Sequence, residues 1–347
     1  MSIDPFARVR LGDAPVDVWR LGVGMAALSG LFKEVGEAQA AAVLDHAWDI
    51  GVRYSDTAPY YGSGLGERRL GRLLTSRASG DFTVSSQVGR VLSPMDRFDA
   101  DPTLEPDQPT VDIPGFDPRE GTFTGTPDDR PVFDYSDDGV MRSLEESLQR
   151  TGLERIDILW VHDPDAHWEQ AISGAYPALH ELRRQGVVRA IGVGMNHAGH
   201  LARFVREAEL DAIMCAGRYT LLDHSALDEL FPACEAKGTV VVAAGVMNSG
   251  LLANPTPDSK YDYAPAPPEL LQRALAMKAV TERRSVPLRA AALQFVFGHP
   301  LVVSVVAGVR TVAHLDDAVA NLQQSIPPEL WEDLRREGLL PEGVPTP

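Results

Sequence analysis

Cysteine is almost missing from this chain: Cys215 and Cys234 are the only two among 347 residues. Neither a disulfide framework nor a cysteine-built metal centre has enough ligands. Positive charge is also scarce, with 32 Lys and Arg against 49 Asp and Glu and a net charge of -17. A phosphate backbone is held by clustered cations, so nucleic acid is excluded as an expected partner. No apolar run approaches the roughly 18–20 residues that cross a bilayer, and Met1–Arg10 lacks the charged-then-apolar order of a secretory signal. A soluble, cytoplasmic protein without a membrane partner is the expectation. Lysine is the scarcest cation, present only at Lys33, Lys237, Lys260 and Lys278. That limits where a catalytic ammonium can originate.

What is present is an ordinary apolar fraction, 44% of 37.6 kDa, arranged as β-rich runs alternating with amphipathic stretches. Strands are expected at Val18–Gly22, Tyr54–Asp56, Phe82–Gln87, Ile156–Val161, Ala190–Gly194, Ala212–Ala216, Thr239–Ala244 and Val302–Ala307. Helical stretches lie between them: Glu37–Asp49, Glu67–Thr75, Val140–Thr151, Trp168–Arg184, Ala198–Ala208, Ser225–Ala236, Pro268–Arg283 with Leu288–Phe297, and Val312–Gln323. Eight strand–helix units predict the α/β class and a single (β/α)8 TIM barrel over residues 1–347. Arg8–Trp19 reads as an N-terminal hairpin plugging the bottom of that barrel. Ser93–Asp138 breaks the rhythm, with 13 acidic residues, three basic, eight prolines and no helical period. So long an irregular connection is either functional or disordered. It reads as a lid or an oligomer contact, against the plainer reading of a tolerated insertion. Asn254–Pro268 is a second long loop at the same end.

Reacting groups in such a barrel come from the C-terminal ends of the strands. Those positions are Asp56, Gln87, His162, Asn196, Arg218, Met247–Asn248 and Gly308–Arg310. Polar residues at most strand ends are unusual for a purely structural barrel. Each has a structural alternative: Asp56 as a turn cap, Tyr61 as a core tyrosine, His162 as a structural histidine, Asn196 as a turn residue.

The stretch GVRYSDTAPYYGSGLGERRLG (51–71) resembles the aldo-keto reductase signature D-T-A-x-x-Y-G-x-G-x-x-E-x-x-L-G, and the likeness extends over essentially the whole chain. IDILWVHDPD (156–165), AIGVGMN (190–196) and VVSVVAGVRTVAHLDDAV (302–319) resemble later strands of the family. H-D-P-D and G-V-G-M-N select its branch of aldose and pyridoxal dehydrogenases. The resemblance implies NADP or NAD as cofactor and a small carbonyl or sugar substrate; a homo-oligomer is compatible with it. It implies Tyr61 as the catalytic tyrosine, His162 as the substrate-oxygen partner, and Asp56 as support. Asn196 is implied at the nicotinamide carboxamide, Gly308, Arg310 and Thr311 at the adenosine phosphate, and Asp317 near the adenine. Arg218, Met247, Asn248, Gly250, Leu251 and His314 complete the implied cofactor set. A guanidinium at 218 and aliphatic side chains at Val246–Met247, where many relatives carry glutamine and an aromatic, fit the aldose-dehydrogenase branch.

The family places a lysine where TVSSQVG (83–89) carries Gln87. A phenol with an ordinary pKa of about 10 is a poor acid/base near neutrality. A neighbouring ammonium lowers that value, and a carboxylate anchors the ammonium. Gln87 can hydrogen-bond both partners but brings no charge. Arg90, beyond Gly89, is a remote candidate for the missing cation. Three readings remain open: a lysine replaced to trap an inactive complex; a natural enzyme running slower redox chemistry, an elimination or an epimerisation; and a module that senses nicotinamide redox state.

Overall fold

A computed structural model of the chain describes residues 2–100 and 122–347. Its strands are β1 (Arg8–Arg10), β2 (Asp17–Trp19), β3 (Leu21–Gly24), β4 (Tyr54–Asp56), β5 (Thr83–Val88), β6 (Arg90–Ser93), β7 (Arg130–Phe133) and β8 (Ile158–His162), then β9 (Ala190–Met195), β10 (Ala212–Ala216), β11 (Val240–Ala244), β12 (Lys260–Tyr261), β13 (Ala264–Pro265) and β14 (Val302–Gly308). Eight of them close a barrel in the order β10-β11-β14-β3-β4-β5-β8-β9, every pairing parallel. The expected (β/α)8 architecture is the one observed. Parallel strands covered on both faces bury every residue, and β5, β8 and β9 are buried from end to end.

β1 and β2 form the N-terminal hairpin, pairing Arg8 with Trp19 and Arg10 with Asp17. Its apolar tip, Leu11, Ala14, Val16 and Val18, packs with Tyr54, Ile158, Trp160, Met214 and Val242 inside the barrel. That is the plug the sequence predicts. The first barrel strand differs from expectation: it is Leu21–Gly24, and Val18 belongs to the hairpin. Only Arg20 separates the two strands, and its guanidinium donates to the carbonyls of Val302 (3.0 Å) and Val303 (3.3 Å), so one apolar run serves two elements. The interior also has to hold Trp160, fully buried on β8. Gly192 on β9 makes that room, because a Cβ there would stand 2.5 Å from the indole.

The insertion is more regular than its composition suggests. β6 and β7 pair antiparallel, Arg90 with Phe133 and Ser93 with Arg130, and a short helix spans Met95–Ala100. The following helix begins at Asp137, capped by the Ser136 hydroxyl, which accepts from Gly139 N at 3.0 Å. Proline-rich sequence hid this pairing because the two strands meet across 36 intervening residues. Residues 101–121 of the segment, and with them that part of the lid-or-contact reading, lie outside the described residues. Thr122 and Phe123 cross the mouth of the barrel, and Phe123 bridges to Leu31. Asn254–Pro268 likewise contains the small β12–β13 hairpin. Among the described residues no helix is long and apolar enough to cross a membrane.

Candidate active site

The C-terminal ends of β4, β5 and β8 deliver Asp56, Gln87 and His162 to one wall of a cavity of about 730 Å³, and the turn after β4 adds Tyr61. Gly89 sets the exit of β5. Its φ is +103°, and a Cβ would stand 2.1 Å from the Tyr135 ring, so only glycine lets the chain turn here.

Gln87 is the centre of the hydrogen-bond network. Its amide nitrogen donates to Asp56 Oδ2 at 3.1 Å and to Tyr61 Oη at 2.9 Å. When ionised, the Asp56 carboxylate only accepts, which sets the amide with Nε2 toward it. The phenol oxygen of Tyr61 is thereby an acceptor from Gln87, and its own hydrogen is directed to another acceptor. Asp56 also receives the Ser85 hydroxyl at 2.6 Å, itself 3.1 Å from Tyr54 Oη. Burial without a cationic partner pushes Asp56 up to about 7, and the Ser85 and Gln87 hydrogen bonds only partly offset this. The Trp160 indole lowers it slightly by proximity; its N–H lies outside hydrogen-bond geometry. Tyr61 is held well above the ordinary phenol value, first by withdrawal from water and then by the Asp56 charge, with Gln87 opposing weakly. His162 is held well below the ordinary imidazole range by burial and by the neighbouring Arg90 cation. At neutral pH the wall therefore presents a neutral phenol and a neutral imidazole, their rings 5.9 Å apart and edge to face.

Arg90 does turn inward, though to other partners than an absent lysine would have. Its guanidinium is buried, donates to the His162 carbonyl at 3.3 Å and pairs with Asp163 Oδ2 at 3.2 Å. It also lies over the rings of Tyr60 (4.7 Å) and Phe133 (4.8 Å). Tyr135 donates to the carbonyls of His162 (2.5 Å) and Asp163 (2.8 Å), anchoring a turn in which Asp163 has φ +43°. The charge at 90 thus braces the His162 loop.

The cavity runs on past Asn196 at the end of β9, Met247–Gly250 after β11, Gly308 at the end of β14, and Arg310, His314 and Asp317 beyond it. Three sequence-predicted cofactor residues are not on its wall. Leu251 is fully buried beneath the loop, and Thr311 caps a helix, its hydroxyl accepting from His314 N at 3.1 Å. Arg218 stands behind Asn196, donating to its carbonyl at 2.7 Å while held by Asp223 (2.8 Å), Asp262 and the Tyr261 hydroxyl (3.0 Å). Asp317 reaches the cavity but is clamped by Arg289 through two bonds of 2.8 and 2.9 Å. Arg289, Asp163, Tyr60, Phe32, Phe123 and Tyr263 line the cavity without having been assigned from sequence. Asp163 had a signal in the H-D-P-D string; Arg289 sits on a helix with nothing to distinguish it from a surface arginine.

This wall suits a dinucleotide. Asn248 Oδ1 and Arg310 Nε are buried with no hydrogen-bond partner in the protein, an acceptor and a cationic donor at the same end of the cavity. Asn248, Ser249 and Gly250 all have positive φ (45°, 56° and 99°). Such backbone strain is usually retained where a ligand is bound.

Comparison with known proteins agrees with this geometry. Residues 20–336 match the family model described as "Aldo/keto reductase family". The chain is 42% identical to a D-threo-aldose 1-dehydrogenase of Pseudomonas sp over 324 residues, 92% of this chain and 94% of that protein. It is 39% identical to a pyridoxal 4-dehydrogenase of Microbacterium luteolum over 341 residues, 95% and 97% of the two chains. Among solved structures, an aldo-keto reductase from Bacillus halodurans superposes with a TM-score of 0.70 at 22% identity, covering 98% of each chain. A glycerol dehydrogenase from Gluconobacter oxydans gives 0.71 at 20% identity, covering 98% of this chain and 97% of that one. These two likenesses carry the fold.

Proposed function

The chain belongs to the aldo/keto reductase family, and from that premise we propose that it interconverts a small carbonyl compound or sugar hemiacetal with its redox partner, using NAD in preference to NADP. It is an NAD(P)-dependent oxidoreductase acting on carbonyl or sugar substrates. The observation that carries the proton-transfer part of this reading is the Gln87 amide donating to both Asp56 and Tyr61.

When bound, the nicotinamide exchanges the hydride. The protein handles the accompanying proton. Tyr61, receiving a hydrogen bond from Gln87, offers its own O–H to a substrate oxygen, which suits carbonyl reduction at neutral pH. His162, neutral and adjacent, orients that oxygen. Oxidation of a hemiacetal at C1 to a lactone asks the same pair to take a proton. A phenol held above its ordinary pKa does so only in alkaline solution.

Steady-state rates in both directions across pH test this. Aldehyde reduction should persist at neutrality, while aldose oxidation should climb without levelling below about pH 10. An oxidation rate that levels off near pH 7 would overturn the neutral-phenol reading.

Asn196, the Met247–Gly250 loop, Gly308, Arg310 and His314 are the groups proposed to hold the dinucleotide. The preference for NAD is supported by the cations along the wall. Among the described residues these are Arg90, Arg289 and Arg310. Arg90 is paired with Asp163 and Arg289 with Asp317, which leaves Arg310 as the one not paired with a carboxylate. Quenching of protein fluorescence should therefore saturate at lower NADH than NADPH, and tighter NADPH binding would reverse the assignment.

A further inference from the structure

We propose that Asp165, His197 and His200 form a site for a divalent late first-row metal ion, beside the catalytic cavity and separate from it. None of the three lines the cavity. Asp165 lies in the loop after β8. His197 and His200 stand at the N-cap and in the first turn of the helix Ala198–Glu207, with their rings 5.5 Å apart.

The three candidate donors already lie within reach of one ion. The candidate ligand atoms all lie within 4.8 Å of one another. His197 Nδ1 meets Asp165 Oδ1 directly, and His200 Nδ1 is 3.5 Å from the same oxygen. Donors about 2.0–2.2 Å from a tetrahedral ion are separated from each other by roughly 3.4 Å. A small outward rotation of His197 therefore opens the required space. A second observation points the same way: Asp165 Oδ2 is buried and has no hydrogen-bond partner. One oxygen of the carboxylate is spent on an imidazole while the other is desolvated without compensation, an arrangement a cation would satisfy.

Two imidazoles and one carboxylate suit Zn²⁺, Co²⁺ or Ni²⁺ better than Mg²⁺ or Ca²⁺, which demand more oxygen ligands. Both histidines are partly exposed, leaving water access to the remaining coordination positions. The positive end of the helix opposes a cation, a small effect beside three coordinate bonds. The ion would tie together two loops: Asp165 follows His162 by three residues, and His197 directly follows Asn196. The assignment does not depend on which substrate is turned over.

The test uses the full, tag-free chain, stripped with a chelator and dialysed. ZnCl₂ is titrated by calorimetry and CoCl₂ by visible absorption. Saturable uptake of one metal ion per chain is expected, with Co²⁺ bands of a nitrogen–oxygen site and a rise in the thermal midpoint with Zn²⁺. His200→Asn, on the exposed side, should weaken binding at least about tenfold without altering the metal-free fold. Asp165→Asn should abolish it. Absence of saturable uptake, or equal affinity in the parent chain and His200→Asn, would overturn the proposal.

Discussion

Replacing Gln87 by lysine should raise kcat/KM for carbonyl reduction at neutral pH by about 10² to 10⁴, the range a well-placed acid/base interaction contributes. The side chain at 87 already reaches both partners, with Asp56 at 3.1 Å and Tyr61 at 2.9 Å. What it lacks is charge. An ammonium there would lower the pKa of Tyr61 and of Asp56, because opposite charges at that separation favour the ionised forms. The carboxylate would be paired, and the phenol would become a stronger acid and reach its ionised form at lower pH. The alkaline limb of aldose oxidation should move to lower pH in the same variant. Cofactor affinity should barely change, since Asn196, the Met247–Gly250 loop and Arg310 lie along other strands. The three readings of Gln87 separate on this experiment. A large gain with unchanged NADH binding means that the scaffold is complete except for one charge. Unchanged, measurable turnover means that this protein moves its proton by a route in which an amide suffices. Binding without turnover in either form leaves the sensing module.

The legible part of this site was the part carried by local pattern. Strands buried on both faces read as apolar runs, and their polar ends, Asp56, Gln87, His162 and Asn196, stand out against them. All four line the cavity. The boundary at β3 was misplaced because the hairpin strand and the barrel strand run together with only Arg20 between. Long-range pairing leaves no local trace. Arg90 and Asp163 are 73 residues apart, and nothing in either neighbourhood announces the ion pair that braces the His162 loop. Arg218 illustrates the converse: its position at a strand end was read correctly, but Asp223 and Asp262 turn its guanidinium away from the cavity. Sequence identifies Gln87 as uncharged; only the geometry shows that the amide holds the phenol and the carboxylate at once, so that the missing charge costs pKa tuning and leaves the arrangement intact.

Asp56→Asn should stabilise this protein above neutral pH and destabilise its Gln87→Lys variant. The native carboxyl is buried, 2% exposed, and pushed up to about 7 from an unfolded value near 3.8. The folded state thus binds the proton more tightly than the unfolded state between about pH 4 and pH 7. Stability falls as pH rises through that window and levels off above it. The slope contributed by one group reaches about 1.4 kcal/mol per pH unit, and the whole window amounts to roughly 4 kcal/mol. Asparagine at 56 removes this loss. Its oxygen can still accept from Ser85, and a flip of the Gln87 amide turns Oε1 to accept from both the new Nδ2 and the Tyr61 hydroxyl. Every hydrogen bond survives, and the uncompensated charge is gone. A gain of roughly 1–3 kcal/mol at pH 8, shrinking to nothing near pH 4, should appear in urea unfolding curves. The difference between the two curves isolates this group from all others that titrate in the same range. With lysine at 87 the sign reverses, because removing the carboxylate then strands a buried ammonium. Equal effects in the two backgrounds, or stability curves that stay parallel from pH 4 to pH 8, would show that the Asp56 carboxylate already has a cationic partner.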